Sequence, residues 1–218
     1  MKKIVMVAML VTFALLYTGK APAGDDAQAR VQLPEPAKTG GMPLADALAT
    51  RKSGRSFADT ELSPEQLSNL LWATAGVNRE DGKFTYPVAR GRKDMTLFVF
   101  TKTGVYSYDP AAHALDPVVD GDRRADTGIQ PFVAQAAVNL VFVHDMALWD
   151  DSDQIRREGE ILGYIHTGAM MQNAYLHAAA QGWSAVVRGL FDGDNLKTLL
   201  SLSPTQRVTL TQSVGPGQ

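Results

Sequence analysis

Nothing in this chain limits its fold more than the stretch Glu158–Gln181, rich in Ala, Met and His and closed by Gly182. It reads as one long helix set among strand-like runs. Ahead of it, Ala137–Val143 (Ala-Val-Asn-Leu-Val-Phe-Val) is mostly apolar and is expected as a central strand. Behind it come a strand at Ala185–Leu190, a short helix around Asn195–Leu200, a turn opened by Ser203-Pro204, and a last strand at Arg207–Val214. Met95–Phe100 and Val105–Tyr108 are β-rich runs joined by Thr101-Lys102-Thr103-Gly104, which predicts a hairpin. A long helix among antiparallel-type hairpins points to the α+β class and away from a regular doubly wound sheet.

The first half adds shorter pieces. Residues 24–42 hold Pro34, Pro36, Gly40 and Gly41 and read as an extended arm ahead of a single domain, 43–218. A short helix then carries Leu44, Ala47 and Leu48 on one face. Leu62-Ser63-Pro64-Glu65-Gln66 is a helix start, with Ser63 as N-cap, Pro64 as the first helical residue and Gln66 as capping-box partner. That helix packs through Leu67, Leu70 and Leu71 and stops near Gly76.

At the N-terminus, Lys2 and Lys3 precede the apolar run Ile4 to Tyr17, followed by Ala21-Pro22-Ala23. This is the pattern of a signal peptide cut after Ala23. The run is shorter than the about 20 residues a membrane span needs, so no stable membrane insertion is expected. The expected destination is the periplasm or the medium. With no cysteine, disulfides, thiol chemistry and lipid anchoring through cysteine are excluded. Without residues 1–23, which hold Lys2, Lys3 and Lys20 and no acid, 18 basic residues face 23 acidic ones, a net of −5. Such a surface is unsuited to gripping nucleic acid through its phosphates.

One segment gathers cations and hydroxyls: Arg51-Lys52-Ser53-Gly54-Arg55-Ser56-Phe57. Extended, residues 51, 53 and 55 point the same way; helical, Arg51 and Arg55 meet at i,i+4. Either geometry sets two fork donors beside a hydroxyl, which suits a phosphate or the polar edge of a cofactor. A solvated basic turn closing a helix is the plainer reading of these seven residues alone. None of His113, His144, His166 and His177 has the spacing of a zinc helix, so no metal site is expected. His166 and His177 share a helix face and read as core or interface residues. Asp150-Asp151-Ser152-Asp153 reads as a solvated loop and Asp192-Gly193-Asp194 as a helix cap, since both lack the later ligands of a calcium loop.

Taken in order, these pieces resemble the flavin-dependent nitroreductase family, and within it the branch of SagB-type, azoline-forming dehydrogenases. The likeness runs from Leu33-Pro34-Glu35-Pro36 and Leu44-Ala45-Asp46-Ala47-Leu48 into the basic turn. It continues through Leu62–Leu67, Gly104-Val105-Tyr106 and Tyr108-Asp109, then Gly168, Gln172-Asn173, Gly182 and Val214-Gly215. The resemblance implies an α+β domain in an intertwined homodimer, with a mostly antiparallel central sheet flanked by helices and one FMN at each of two interfacial sites. Arg51, Lys52, Ser53 and Arg55 would then meet the FMN phosphate, ribityl chain and pyrimidine edge. Pro87, Val88, Ala89, Gly91 and Lys93 would occupy the family's Pro-Ser-x-x-Asn-x-Gln loop, with Val88, Gly91 and Lys93 replacing Ser, Asn and Gln. Lys93, Arg90 or Arg92 would supply a charge beside the flavin. Arg188 and Gly189 lie in the stretch that runs past the ring, and a buried Arg188 calls for an anionic partner, phosphate or carboxylate.

Implied with this is ping-pong hydride transfer to a nitroaromatic, quinone or similar small-molecule acceptor, with no catalytic side chain of the protein. NAD(P)H is the family's donor, a cytoplasmic pool that fits poorly with export. The alternative is a repurposed member of the fold, binding a ligand or partner in a degenerate flavin cleft.

Overall fold

A computed structural model describes residues 29–218. The expected signal peptide, 1–23, lies outside them. In chain order the elements are β1 (Val31–Gln32), α1 (Leu44–Thr50), α2 (Pro64–Ala75), β2 (Met95–Phe100), β3 (Gly104–Asp109) and β4 (Ala114–Asp120). They continue with β5 (Val138–Asp145), α3 (Asp153–Ala180), β6 (Trp183–Arg188), α4 (Gly193–Leu199) and β7 (Gln206–Pro216). The seven strands form one sheet in the order β1-β4-β3-β2-β5-β7-β6, and every neighbouring pair is antiparallel.

Alternation of side chains builds two cores on this sheet. On one face Leu97, Val99, Leu140, Phe142 and Val214 pack against Leu70 and Leu71 of α2 and against Met170, Ala174 and Tyr175 of α3. On the other, Phe98, Phe100, Val141 and Val143 pack against Leu196 of α4 and the following Leu200 and Leu202. β5 is buried on both faces along nearly its whole length, as its apolar run foretold.

The capping box of α2 forms as expected: the Gln66 backbone N–H donates to Ser63 Oγ at 3.2 Å, and the Ser63 N–H donates to Gln66 Oε1 at 2.8 Å. Gly76 is its C-cap. The long helix starts earlier than its apolar pattern suggested. Ser152 caps it by accepting from the Ile155 N–H, so the acidic run read as loop supplies the cap and the first helical residue, Asp153. Asp192 caps α4 in the same manner. The strand expected at Ala185–Leu190 lies two residues earlier, Trp183–Arg188. β4 was not foreseen, because Pro117 sits inside it; a bulge beside Val105 and Tyr106 accommodates the proline, which cannot donate to a ladder. β4 also receives the arm, where Val31 pairs with Leu115. On α1 only Ala47 is buried; Leu44 and Leu48 stand in solvent.

Candidate active site

The basic turn follows α1 and runs along the open edge of β6. Gly54 N–H donates to Ala185 O at 2.9 Å, and Ala58 N–H donates to Pro216 O at 2.9 Å. Glycine is required at 54 by this approach: a Cβ there would stand 2.6 Å from Ser184 Oγ and 3.1 Å from the Ser184 Cα. Phe57 then anchors the turn in a small core with Val186 and Ala136.

Tyr175 of α3 ties the turn to the sheet from below. Its hydroxyl accepts the Val187 N–H at 2.8 Å and shares a hydrogen bond with Ser53 Oγ at 3.0 Å. The Arg51 guanidinium lies over the same ring, 5.3 Å from its centroid. Among the described residues, none of Arg51, Lys52 and Arg55 has a carboxylate partner. Three cations without carboxylate partners among the described residues, within five positions, leave a local excess of positive charge that would attract an anion. Beside them lies a cavity of about 320 Å³ lined by Thr50, Lys52, Tyr175, Ala178, Trp183 and Ala185.

Within this chain the loop 87–93 stands apart from that cavity. Val88, Gly91 and Lys93 line a separate space of about 280 Å³ with Phe84 and Tyr86, and the two cavities share no lining residue. Lys93 Nζ lies 5.2 Å from the Phe84 ring centroid, and Phe84 stacks on Tyr86 at 5.3 Å. Arg90 is held by Glu158 at 2.5 Å, and Arg92 by Asp151 and the Leu148 carbonyl, so of the loop's three cations Lys93 alone is without a carboxylate partner among the described residues.

The profile of the nitroreductase family matches residues 48–216. This chain belongs to the nitroreductase family. Its sheet and helices superpose on a structure of a candidate nitroreductase from Ralstonia eutropha JMP134 with a TM-score of 0.81 and 38% identity, covering 88% of this chain and 91% of that one. MJ1384 of Methanocaldococcus jannaschii, itself assigned as a candidate nitroreductase, is 26% identical over 184 residues, 79% of this chain and 89% of that protein. The fold alone is shared with a chain of the Escherichia coli microcin synthetase McbBCD, at a TM-score of 0.66 and 18% identity over 97% of this chain and 85% of that one.

Against the nitroreductase frame, Arg188 takes a different position from the basic turn. Alternation along β6 turns it to the opposite sheet face from Val187, where its Nη1 donates to Thr127 O at 3.0 Å and its Nη2 to Asn139 Oδ1 at 3.0 Å. The anionic partner expected for it is replaced by neutral oxygens, and burial pushes the guanidinium down to about 10. Gly189 follows in exposed backbone. Arg207, the basic residue closest in sequence to the C-terminus, sits at the far end of β7 from Pro216, which is the residue that meets the turn.

What the sequence did not reveal is a fully buried cluster around Asp94. His144 Nε2 and the Trp149 indole N–H donate to Asp94 Oδ2 at 3.0 and 2.8 Å, and His166 Nδ1 meets Oδ1 at 2.9 Å. Burial alone would push this carboxyl up, but the hydrogen bonds from His144, His166 and Trp149 hold it well below the ordinary carboxylate range. Gly159 and Gly163, one turn apart on α3, let the helix lie directly on Trp149 and His144, where any Cβ would collide with the rings. Among the described residues no group of His, Cys, Asp and Glu is arranged to hold a metal.

Proposed function

We propose that this nitroreductase-family protein is an FMN-dependent oxidoreductase acting as a homodimer on a small acceptor such as a nitroaromatic or quinone. The observation that carries the reading is the turn bearing Arg51, Lys52 and Arg55, none of which has a carboxylate partner among the described residues, held by its backbone at the edge of β6 beside a cavity walled by Tyr175 and Trp183. That donor set fits FMN: cations and the Ser53 hydroxyl for the phosphate and ribityl chain, aromatic and small apolar side chains for a flat ring. Lys93 and the backbone of Val88 and Gly91 would take the ring's polar edge. Because the two half-sites share no lining residue within one chain, pairing of protomers is the arrangement that would bring the turn of one to the loop of the other.

FMN supplies two-electron chemistry, accepting hydride from a donor and passing it to an acceptor. The chain's part is to bind, orient and neutralise: Arg51 and Arg55 balance negative charge, and Lys93 offsets charge on the reduced ring. NAD(P)H is the donor this reading takes from the family. We further assign the protein to the periplasm or medium after removal of 1–23, and to the azoline-dehydrogenase-like branch, from the motifs noted above.

A repurposed cleft is the competing reading, favoured by one observation: Val88 and Gly91 lack the hydrogen-bonding side chains of the family loop. Titrating residues 24–218 with FMN and following quenching of flavin fluorescence separates the two. Arg51→Ala with Arg55→Ala is expected to weaken FMN binding by about a hundredfold, two charge-assisted contacts at roughly 1.5 kcal/mol each. Equal binding by parent and variant would remove the turn from the site.

A further inference from the structure

Resting on the flavin reading, the 87–93 loop shows a division of labour. Val88, Gly91 and Lys93 line the cavity of about 280 Å³. The intervening Ala89, Arg90 and Arg92 are all tied back to the region between Leu148 and His166. Arg90 reaches Glu158, Arg92 reaches Asp151 and the Leu148 carbonyl, and the Ala89 backbone N–H donates to His166 Nε2 at 3.0 Å. The turn is also locally strained at Arg90, a non-glycine residue at φ 54°, whereas Gly91 takes its φ of 67° without strain. Such a conformation persists only when its surroundings fix it.

The Ala89 contact identifies the tautomer of His166. A backbone N–H can only donate, so Nε2 must present its lone pair and the ring proton must sit on Nδ1. Nδ1 then donates to Asp94 Oδ1, whose partner oxygen is held by His144 and Trp149. Asp94 is fixed in turn by its backbone: Asp145 N–H of β5 donates to Asp94 O at 2.8 Å. A continuous chain of hydrogen bonds thus runs from β5 through Asp94 and His166 into the loop.

We propose that Asp94 and His166 are positioning residues for the flavin-facing loop: Asp94 sets the His166 tautomer, and His166 Nε2 holds the Ala89 N–H so that Val88, Gly91 and Lys93 face the cavity. Preorganisation of this kind explains how a loop lacking the family's Ser, Asn and Gln can still serve a flavin, through fixed backbone groups and one lysine. The role of His166 is to orient, not to react.

Ala89→Pro tests this with the buried cluster left intact. Ala89 is the first residue of the 3-10 turn 89–91 and follows Val88 in an extended conformation, φ −119° and ψ 110°, which a following proline accepts. The proline removes the N–H and sets a ring carbon against Nε2, so the loop must leave the imidazole. Expected are about tenfold faster tryptic cleavage after Arg90, Arg92 and Lys93, about tenfold weaker FMN binding, and a melting temperature near the parent's, since one part-buried hydrogen bond is lost and the displaced loop lets water reach Nε2. His166→Gln, whose amide oxygen can still accept the Ala89 N–H, is expected to stay closer to the parent than Ala89→Pro in both readouts. Should the parent bind no FMN, the flavin reading fails, while the tryptic rates still decide the anchor. Parental tryptic rates in Ala89→Pro overturn the proposal, as do parental FMN affinities in a flavin-binding protein.

Discussion

Beside the Trp183 ring, 5.7 Å between centroids, His177 has no hydrogen-bond partner for its Nε2 among the described residues, and burial pushes its imidazole down to about 4. Unfolded, the same side chain titrates near 6.5. As pH falls from about 6.5 to about 4, the unfolded chain takes up a proton that the folded chain refuses, so stability is full above 6.5 and declines across that interval. His177→Phe keeps the ring contact and removes the titration. Its melting temperature is therefore expected to fall less than the parent's between pH 7 and 4, a difference that cancels the similar but separate effect of His113, whose imidazole is also pushed down by burial. Parallel curves would refute this. Single residues were legible in the sequence where chemistry is local, as with the Ser63 and Gln66 caps. Asp94 was not, because His144, Trp149 and His166 reach it only after β5 and α3 have packed, and no spacing along the chain records that.

At the scale of elements, strands and helices with uninterrupted patterns were foreseen and those with an internal conflict were not. β5 and the β2–β3 hairpin carry clean apolar runs and were read correctly, whereas the proline in β4 hid it. The start of α3 was misplaced because an acidic run serves equally well as a loop or as a capped first turn. Arg188 on β6 shows how an element's alternation overrides a residue's chemistry, turning the guanidinium away from the basic turn to Thr127 and Asn139. Both acceptors keep other donors, Thr211 Oγ1 to Thr127 O and Ser213 Oγ to Asn139 Oδ1, so removing the guanidinium orphans neither. Arg188→Met is accordingly expected to change unfolding free energy in urea by no more than about 1 kcal/mol and to leave FMN retention intact. Loss of flavin in that variant would put Arg188 back in the site.

For the molecule as a whole, family membership and fold rest on agreement of the sequence profile over 48–216 with the seven-stranded antiparallel sheet. The site is less complete within one chain, for the turn 51–55 and the loop 87–93 open into different cavities. Exposed apolar side chains on α1 and α3, namely Leu44, Leu48, Ile161 and Ile165, are consistent with a protomer that pairs. The most direct measurement is the visible absorption spectrum of residues 24–218 after incubation with FMN and desalting, read beside the molar mass from light scattering. Retained flavin absorbance at one FMN per protomer of a dimer is the predicted result. A colourless protein after desalting would contradict the oxidoreductase reading and leave the family fold with a cleft turned to another ligand.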